Sequence, residues 1–298
     1  MNGAPGLLCV HAHPDDEALW TGGVLARCAA RGGRAAVVTC TAGERAADHQ
    51  AGVAGQGDPG GPRLGGRRPL AEVRAAELAS ALELLGAGPP RLLGYRDSGM
   101  PADSDPGSFW RADLDEAVGR LVGHLRDFRP DVLVAYDAFG LYGHPDHVQA
   151  HRVALLAAEA SGIAALYPQA GPAWRVPRLY LVTLPRSLVE LARRQLAGLG
   201  LLAGMRLPAA ARPSIGTPDE LVTTAVDVRP WLERKWAAIR AHASQLGPGS
   251  PLDRLPAPLR EALLGTEWFV RHRDSPRRPP AGHEQDLLGG LPDRAGRR

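Results

Sequence analysis

A polar cluster near the N-terminus lies between two apolar stretches and constrains the fold more than any other feature. The apolar run 7–10 precedes it, and the helix-like pattern 18–30 follows it. The cluster contains His11, His13, Asp15, Asp16 and Glu17. In α/β proteins, functional sites are built where a buried strand gives way to a helix. We therefore predict an α/β fold, a Rossmann-like and mostly parallel sheet flanked by helices, with a smaller C-terminal elaboration.

Asp15 and Asp16 fall at the predicted start of this helix. Backbone N–H groups and the positive end of the helix dipole favour carboxylates there, so capping is one explanation for either residue. The cluster nevertheless holds more imidazole and carboxylate groups than a cap needs. These groups are ligands that zinc prefers. His11 is either a partner of such a site or a hydrogen-bonded core histidine.

A second polar cluster, residues 142–147, follows the apolar strand-like run 131–136. The carboxyl ends of parallel strands meet at one edge of a sheet, so the two clusters can converge on a single ion. A catalytic zinc needs three protein ligands and one open position. His13, Asp16 and His147 would supply this set. Because His and Asp ligands suit both metals, Fe²⁺ stays open beside Zn²⁺.

The two clusters read HPDDE at 13–17 and HPDH at 144–147, about 130 residues apart. Together they resemble the paired motifs of the zinc-dependent LmbE-like N-deacetylase family, whose eukaryotic members include phosphatidylinositol-glycan class L. Either motif alone is weak, whereas both at strand ends form a specific pattern. The resemblance implies a hydrolase that removes an N-acetyl group with one Zn²⁺, or Fe²⁺, per subunit.

The resemblance covers most of residues 6–290 and extends to one branch of the family, the actinobacterial deacetylases of mycothiol biosynthesis. In that branch an Arg, an Asp and a Met contact the sugar, and the matching positions here are Arg74, Asp97 and Met100. The resemblance implies that all three contact the substrate. From the residues alone, Arg74 and Glu77 could instead form an exposed ion pair along a helix, and Asp97 could cap a turn.

Amide hydrolysis needs an activated water molecule, and zinc lowers the pKa of bound water towards about 7. Asp15, which the ligand set leaves free, is the candidate for accepting the proton of that water. By analogy with the family, Tyr142 stabilises the negative charge that develops on the carbonyl oxygen. His144 is a candidate general acid or electrostatic donor, with Asp146 orienting its ring and raising its pKa. Return of the proton by Asp15 remains the alternative.

The substrate implied by this branch is 1-D-myo-inositol 2-acetamido-2-deoxy-α-D-glucopyranoside, a small-molecule N-acetylglucosaminyl-inositol. A related branch, the mycothiol S-conjugate amidases, carries a Lys where Leu19 stands here, which favours the deacetylase. Trp20 occupies a position where a small polar residue is common in the deacetylases. A bulky side chain there would reshape the pocket, so another N-acetyl sugar stays open as the substrate.

Proteins of other classes fit the sequence less well. A non-catalytic sugar-binding relative would have lost Asp15 or one of the metal ligands, and all of them are present. A dinucleotide-dependent enzyme would carry G-x-G-x-x-G after the first strand, and residues 11–16 do not match that pattern. An active hydrolase is therefore the favoured class.

The chain of 298 residues is 44% hydrophobic, which favours one domain with elaborations over two independent ones. We expect a Rossmann-like metal-binding core over 1–165, the C-terminal part of the same catalytic domain over 166–275 and a tail over 276–298. The segment 45–69 is rich in Gly, Pro and Arg and lacks periodicity. It is either a mobile lid or a disordered loop.

Composition argues against several kinds of partner. The net charge of +3 is small and no basic stripe is interleaved with aromatic residues, so we expect no nucleic-acid partner. No run of about 18 apolar residues and no secretory leader pattern occurs, so we expect no membrane association and a cytoplasmic location. Three cysteines without C-x-x-C spacing support neither a disulfide framework nor a cysteine zinc site. The sequence does not predict the oligomeric state.

Overall fold

The protein is built on a seven-stranded, mostly parallel sheet. A computed structural model describes residues 4–46, 68–100, 105–198, 215–246, 250, 252–273 and 283–291. The strands are β1 (Gly6–His11), β2 (Arg34–Thr41), β3 (Arg91–Tyr95), β4 (Val132–Tyr136), β5 (Arg178–Thr183), β6 (Thr224–Asp227) and β7 (Thr266–Arg273), in the spatial order β3-β2-β1-β4-β5-β7-β6. Strands β1 to β5 pair in parallel, and β7 is antiparallel to β5 and β6. The predicted α/β fold is confirmed.

Helices flank this sheet on both faces. They are α1 (Asp16–Ala30), α2 (Leu70–Leu85), α3 (Leu114–Phe128), α4 (Gly140–Gly143), α5 (Pro145–Ala160), α6 (Arg186–Gly198), α7 (Leu232–Ala241), α8 (Ala243–Leu246) and α9 (Ala257–Leu264). From β1 the chain adds β2 and then β3 towards one edge of the sheet, and from β4 it adds β5 towards the other edge. Right-handed crossovers therefore place α1 and α2 on one face of the sheet and α3 and α5 on the opposite face. The helix packing agrees with this arrangement, because α7 packs against α1 and α2, whereas α3 packs against α5.

The central strands β1 and β4 explain where the site forms. Every residue of both strands is buried, as the continuous apolar runs of an interior parallel strand require. The strand order reverses between β1 and β4, which opens a crevice at their carboxyl ends. The first polar cluster begins at His11, the last residue of β1, and the second begins at Tyr142, after the short turn that follows β4. The fold therefore carries both clusters to the same crevice.

The C-terminal stretch 283–291, which the predicted tail included, belongs to the folded domain. Leu287 is 3% exposed and forms part of the hydrophobic core. The hydroxyl of Tyr180 in β5 donates a hydrogen bond of 2.7 Å to Glu284. Asp286 accepts hydrogen bonds from Arg27 and Arg31 at the end of α1, so the stretch contacts both the sheet and this helix.

Three further expectations concern the segment 45–69, membrane-spanning helices and the cysteines. Of the predicted lid or loop over 45–69, residues 47–67 lie outside the described residues. Within the described residues, no helix has both the length and the apolar character needed to cross a membrane. The three cysteines are free and buried, as expected for thiols within apolar segments.

A buried ion pair joins the C-terminal elaboration to the core. The Nζ atom of Lys235 in α7 lies 2.7 Å from Oε1 of Glu267 in β7. Glu267 also accepts hydrogen bonds from the backbone N–H groups of Gly23 and Val24 in α1, at 2.7 and 2.9 Å. Both charged side chains are 2% exposed, so neither charge is compensated by water. One carboxylate thus connects three elements.

We expect Lys235→Met to lower the free energy of unfolding by about 3–5 kcal/mol, because it leaves the charge of Glu267 buried without its partner. Guanidinium denaturation measures this change. The control is Arg229→Met, which breaks an ion pair with Asp227 whose side chains are more than half exposed, and which should change stability little. Equal midpoints for the two variants would contradict the importance of the buried pair.

Candidate metal centre and active site

The two polar clusters meet at the carboxyl ends of β1 and β4. His13 lies in the turn after β1, Asp16 begins α1, and His147 lies in the first turn of α5. Oδ2 of Asp16 is 3.5 Å from Nδ1 of His13 and 3.4 Å from Nε2 of His147. All three side chains are buried. The structure thus brings together the three residues that the sequence predicts as metal ligands.

Other metal-binding groups surround this set. Among the described residues, the ligand atoms of His13, His144 and His147 lie within 4.8 Å of one another, and so do those of His13, Asp97 and Asp146. Three of these side chains already have other hydrogen bonds. Nδ1 of His144 accepts from the N–H of Asp146, while Asp97 and Asp146 accept from backbone N–H groups of the loop after β3.

His147 fits a metal most clearly. Neither of its ring nitrogens has a hydrogen-bond partner among the described residues, although the side chain is fully buried. Such a group in the interior calls for an explanation, and an ion is one of them. Burial lowers the pKa of His147 to about 4, so the ring is neutral and keeps a lone pair at neutral pH.

The tautomer of His13 is set by a carboxylate behind it. Nε2 of His13 lies 3.2 Å from Oδ2 of Asp146, so an Nε2–H leaves the Nδ1 lone pair directed at Asp16 and His147. Burial lowers the pKa of His13, but Asp97, Asp146 and Asp16 outweigh it and hold the pKa well above its usual value. The same negative charge favours a cation beside this ring.

The sequence predicted that the carboxylate of Asp146 orients His144, but in the structure this carboxylate contacts His13 instead. Its carboxylate accepts from the backbone N–H and hydroxyl of Ser98 and from His13, whereas His144 receives only the backbone N–H of Asp146. The pKa of His144 is lowered to about 2, by burial first and then by His13 and His147. The sequence predicted a raised pKa for this ring.

Asp15 has a strained backbone and a side chain that does not cap the helix. Its φ angle is 109°, a conformation that residues other than glycine rarely adopt. Its side chain makes no capping hydrogen bond to α1 and instead accepts from Arg74 at 3.0 Å. Burial raises the pKa of Asp15 to about 6, against the opposing charge of Arg74. Strain of this kind concentrates at functional sites.

A buried pair holds the turn that carries Asp15. One oxygen of Glu17 accepts the backbone N–H of Asp15 at 2.9 Å, and the other lies 2.5 Å from Nε2 of His242. Both Glu17 and His242 are fully buried. Sequence analysis placed Glu17 in the first polar cluster but did not pair it with His242. The partners are 225 positions apart, so no local pattern could have paired them.

Arg74 and Glu77 do not form the exposed ion pair that was one alternative. Arg74 is 2% exposed, and its guanidinium donates to the carbonyls of Pro14 and Gly43 as well as to Asp15. Glu77 accepts from the N–H and the hydroxyl of Ser244, both at 2.7 Å. The helix α2 therefore supports the site through two separate sets of contacts.

One pocket gathers most of the predicted site residues. Arg74, Asp97 and Met100 line it together with His13, Asp15, Asp16, Tyr142 and His144. Burial opposes ionisation of Asp97, but His13 outweighs it and holds the pKa of Asp97 well below its usual range, so the carboxylate is an acceptor. Burial and then Asp16 raise the pKa of Tyr142, so its hydroxyl keeps its proton as a donor. Gln245 of α8 also lines the pocket, which sequence reasoning did not predict.

His11 is the hydrogen-bonded core histidine of the two alternatives. Its Nε2 lies 2.8 Å from the hydroxyl of Thr21, and its Nδ1 lies 3.2 Å from the hydroxyl of Tyr136. The Tyr136 ring stacks on His147, with centroids 4.3 Å apart. Among the described residues, the hydrogen bonds of His11 reach the centre through Tyr136, whose ring stacks on His147.

The fold and the cluster of buried histidines and aspartates define an α/β protein with a candidate metal centre. Comparison with known proteins gives the family. The model PIG-L, described as GlcNAc-PI de-N-acetylase, matches residues 8–158. The chain belongs to this family of deacetylases, whose members are metal-dependent.

Relatives align over nearly the whole chain. The 1D-myo-inositol 2-acetamido-2-deoxy-alpha-D-glucopyranoside deacetylase of Geodermatophilus obscurus is 42% identical over 96% of this chain and 98% of its own length. The protein of the same name from Streptomyces avermitilis is 42% identical over 96% of this chain and 97% of its own.

Solved structures share the fold. The conserved protein TT1542 from Thermus thermophilus is 25% identical, with a TM-score of 0.56 over 94% of this chain and 98% of its own. The N,N'-diacetylchitobiose deacetylase from Pyrococcus horikoshii is 19% identical, with a TM-score of 0.57 over 90% of this chain and 84% of its own.

Proposed function

We propose that this protein hydrolyses the acetamide of 1D-myo-inositol 2-acetamido-2-deoxy-α-D-glucopyranoside and releases acetate and the free amine, a step of mycothiol biosynthesis. The observation that carries the proposal is the buried imidazole of His147, which has no hydrogen-bond partner among the described residues and whose Nε2 lies 3.4 Å from Oδ2 of the pocket residue Asp16. The names of relatives about 40% identical over nearly the full length support the choice of substrate.

The metal would be held by His13, Asp16 and His147, one ion per subunit. His147 is neutral, and His13, whose pKa is raised, would release a proton when the ion binds, so that each ring offers one nitrogen lone pair. Two imidazoles and a carboxylate would leave an open position, as catalytic zinc requires, and the same donors suit Fe²⁺. When bound, the ion lowers the pKa of a water molecule and polarises the substrate carbonyl. Zn²⁺ is our proposal for its identity, with Fe²⁺ as the alternative.

Asp15 is the proposed base that takes the proton of the attacking water. A pKa of about 6, raised by burial against Arg74, keeps the carboxylate largely ionised at neutral pH and close to the working pH of an efficient base. The hydroxyl of Tyr142, which keeps its proton, donates to the oxygen on which negative charge develops.

The proton for the leaving amine is best supplied by Asp15 as well. His144 has a pKa lowered to about 2, so its ring is neutral and donates a hydrogen bond more readily than a proton. Because Nδ1 of His144 accepts from the N–H of Asp146, the remaining N–H is on Nε2. We therefore propose His144 as an electrostatic donor, and Asp146 as the residue that orients His13.

The sugar would be oriented by the loop after β3. The ionised carboxylate of Asp97 accepts hydrogen bonds from hydroxyl groups, and the 39% exposed side chain of Met100 offers an apolar contact. Arg74 lines the same pocket, but its guanidinium already bonds Pro14, Gly43 and Asp15. We assign Arg74 chiefly to positioning Asp15.

We expect Arg74→Lys to lower kcat on the order of 10- to 100-fold with a smaller change in KM. A single ammonium nitrogen cannot occupy the positions of both Nη1 and Nη2, which bond the three acceptors, and Asp15 shifts as a result. Steady-state kinetics of acetate release separate the two constants. Arg96→Lys is the control, since Arg96 pairs with Asp105 and is 49% exposed. A rise in KM at unchanged kcat would instead make Arg74 a simple substrate contact.

The proposed function is tested by removing and restoring the metal. Protein stripped with a chelator should release no acetate from the glucosaminyl-inositol substrate, and addition of Zn²⁺ or Fe²⁺ should restore release. Mg²⁺ is the control, because it prefers oxygen ligands and should not restore activity. Equal rates before and after chelation would refute a metal-dependent mechanism.

A further inference from the structure

Trp20 makes a contact with a proposed metal ligand that the sequence analysis did not predict. It lies one helical turn after Asp16 in α1, and its indole Nε1 donates a hydrogen bond of 3.0 Å to Oδ1 of Asp16. Its half-buried ring packs against the hydrophobic core. Trp20 is not among the described residues that line the pocket, so its main contact is with Asp16 and not with the substrate space.

The two oxygens of Asp16 have separate partners. Oδ2 accepts the backbone N–H of His13 at 3.0 Å and faces the ring nitrogens of His13 and His147 at 3.5 and 3.4 Å. Oδ1 is bound by the indole of Trp20. A carboxylate held at both oxygens cannot rotate about its terminal bond without losing a hydrogen bond. The plane of the group is therefore fixed with Oδ2 towards the histidines.

The geometry of helix α1 brings the side chains of Asp16 and Trp20 together. Residues four apart lie on the same face of a helix, and side chains lean towards the N-terminus, so residue 20 reaches back over residue 16. Because the core holds the ring of Trp20, the N–H is already in place before an ion binds. Such preorganisation reduces the ordering that binding must supply.

We infer that Trp20 is a positioning residue of the metal centre, whose indole N–H holds Oδ1 of Asp16 and directs Oδ2 to the ion. This inference rests on the metal centre proposed above and adds a residue to it. Hydrogen-bond partners of metal ligands orient those ligands, and their loss typically weakens metal binding about 10- to 100-fold. The N–H group of the indole, and not its bulk, is the feature that matters.

The test compares Trp20→Phe with Trp20→Gln. Phe keeps an aromatic ring without the donor, whereas Gln supplies an amide N–H at the same helical spacing. Zn²⁺ affinity is measured by competition with a chromophoric chelator, and the absorption of Co²⁺-loaded protein reports the ligand geometry. We expect the Zn²⁺ dissociation constant to rise about 10-fold or more in Trp20→Phe, with an altered Co²⁺ spectrum, and to recover towards the original value in Trp20→Gln.

The matched control is Trp174→Phe. The Trp174 indole donates to the carbonyl of Pro130, before β4 and therefore at the opposite end of the strand from the centre. This variant should bind Zn²⁺ as the unaltered protein does. The melting temperatures of all metal-free variants are measured alongside.

Each outcome of this comparison either supports or overturns the inference. Unchanged Zn²⁺ affinity in Trp20→Phe overturns it, and so does an equal loss in Trp20→Phe and Trp20→Gln, which would assign the effect to the ring. A metal-free melting temperature that falls in parallel with affinity would assign a structural role and also overturn it. Failure of the unaltered protein to bind Zn²⁺ or Co²⁺ would refute the metal centre itself, a result distinguishable from the others.

Discussion

Asp15→Asn is expected to lower kcat on the order of 10²- to 10⁴-fold while leaving the metal content unchanged. The amide cannot accept the proton of the attacking water, yet it keeps the size of the side chain and an oxygen for Arg74. Asp15 is not one of the three proposed ligands, because its carboxylate is directed to Arg74 while Asp16 faces the histidines. The expected result is a protein that binds metal and does not turn over.

Rates of acetate release, metal content and melting temperature together check this prediction. Asp105→Asn serves as the control, since Asp105 lies in an exposed loop, forms an ion pair with Arg96 and is not among the described residues that line the pocket. A kcat within tenfold of the original value would exclude Asp15 as the base. Loss of the metal along with activity would instead make Asp15 part of the ligand set.

His147→Leu is expected to abolish both tight Zn²⁺ binding and activity, because one of three ligands is lost. The metal-free variant should be at least as stable as the unaltered protein. The buried ring of His147 has no hydrogen-bond partner among the described residues, and replacing an unsatisfied polar group with an apolar one of similar size removes a penalty. Loss of function without loss of stability is the result that distinguishes a ligand from a structural histidine.

Thermal unfolding with and without Zn²⁺ measures this difference. A ligand that binds only the folded state raises the melting temperature, so Zn²⁺ should stabilise the unaltered protein and not His147→Leu. The matched control is His151→Leu on the same helix, since Nδ1 of His151 lies 2.8 Å from the carbonyl of Tyr136 and outside the proposed set. An equal Zn²⁺-induced shift in both variants would contradict the assignment of His147.

The parts of the site predicted from sequence are those that follow local patterns. The clusters 11–17 and 142–147 each follow an apolar run, and parallel strands bring their ends together, so the convergence of His13, Asp16 and His147 was foreseeable. The buried strands were likewise readable from their continuous apolar residues. Local order therefore predicted both the fold class and the location of the pocket.

The contacts missed by sequence reasoning are between residues distant in the chain. Asp146 was paired with its neighbour His144, but its carboxylate bonds His13, 133 positions away. Glu17 and His242 pair across an even longer separation. Periodicity and motif spacing describe one element at a time, so they cannot show which charged side chains face one another after helices pack.

The packing of Leu287 and Asp286 against the domain was not predicted for a different reason. The flanks of residues 283–291 are rich in Pro, Gly and Arg, which is typical of a tail, and the stretch has little periodicity. Leu287 nevertheless enters the core, while Asp286 accepts hydrogen bonds from Arg27 at 3.0 Å and Arg31 at 2.6 Å. A short segment that adds one apolar anchor and a few ion pairs leaves too weak a pattern for sequence reasoning to detect.

The central claim is that this centre deacetylates an N-acetylglucosaminyl-inositol, and kcat/KM for three substrates tests it most directly. The metal-loaded protein is assayed for amine release from 1D-myo-inositol 2-acetamido-2-deoxy-α-D-glucopyranoside, N-acetylglucosamine and a mycothiol S-conjugate, with Asp15→Ala as the inactive control. We expect kcat/KM for the first substrate to exceed the others on the order of 100-fold, and activity to vanish in the control. Amine release only from the S-conjugate, or from none of the three, would contradict the proposed function.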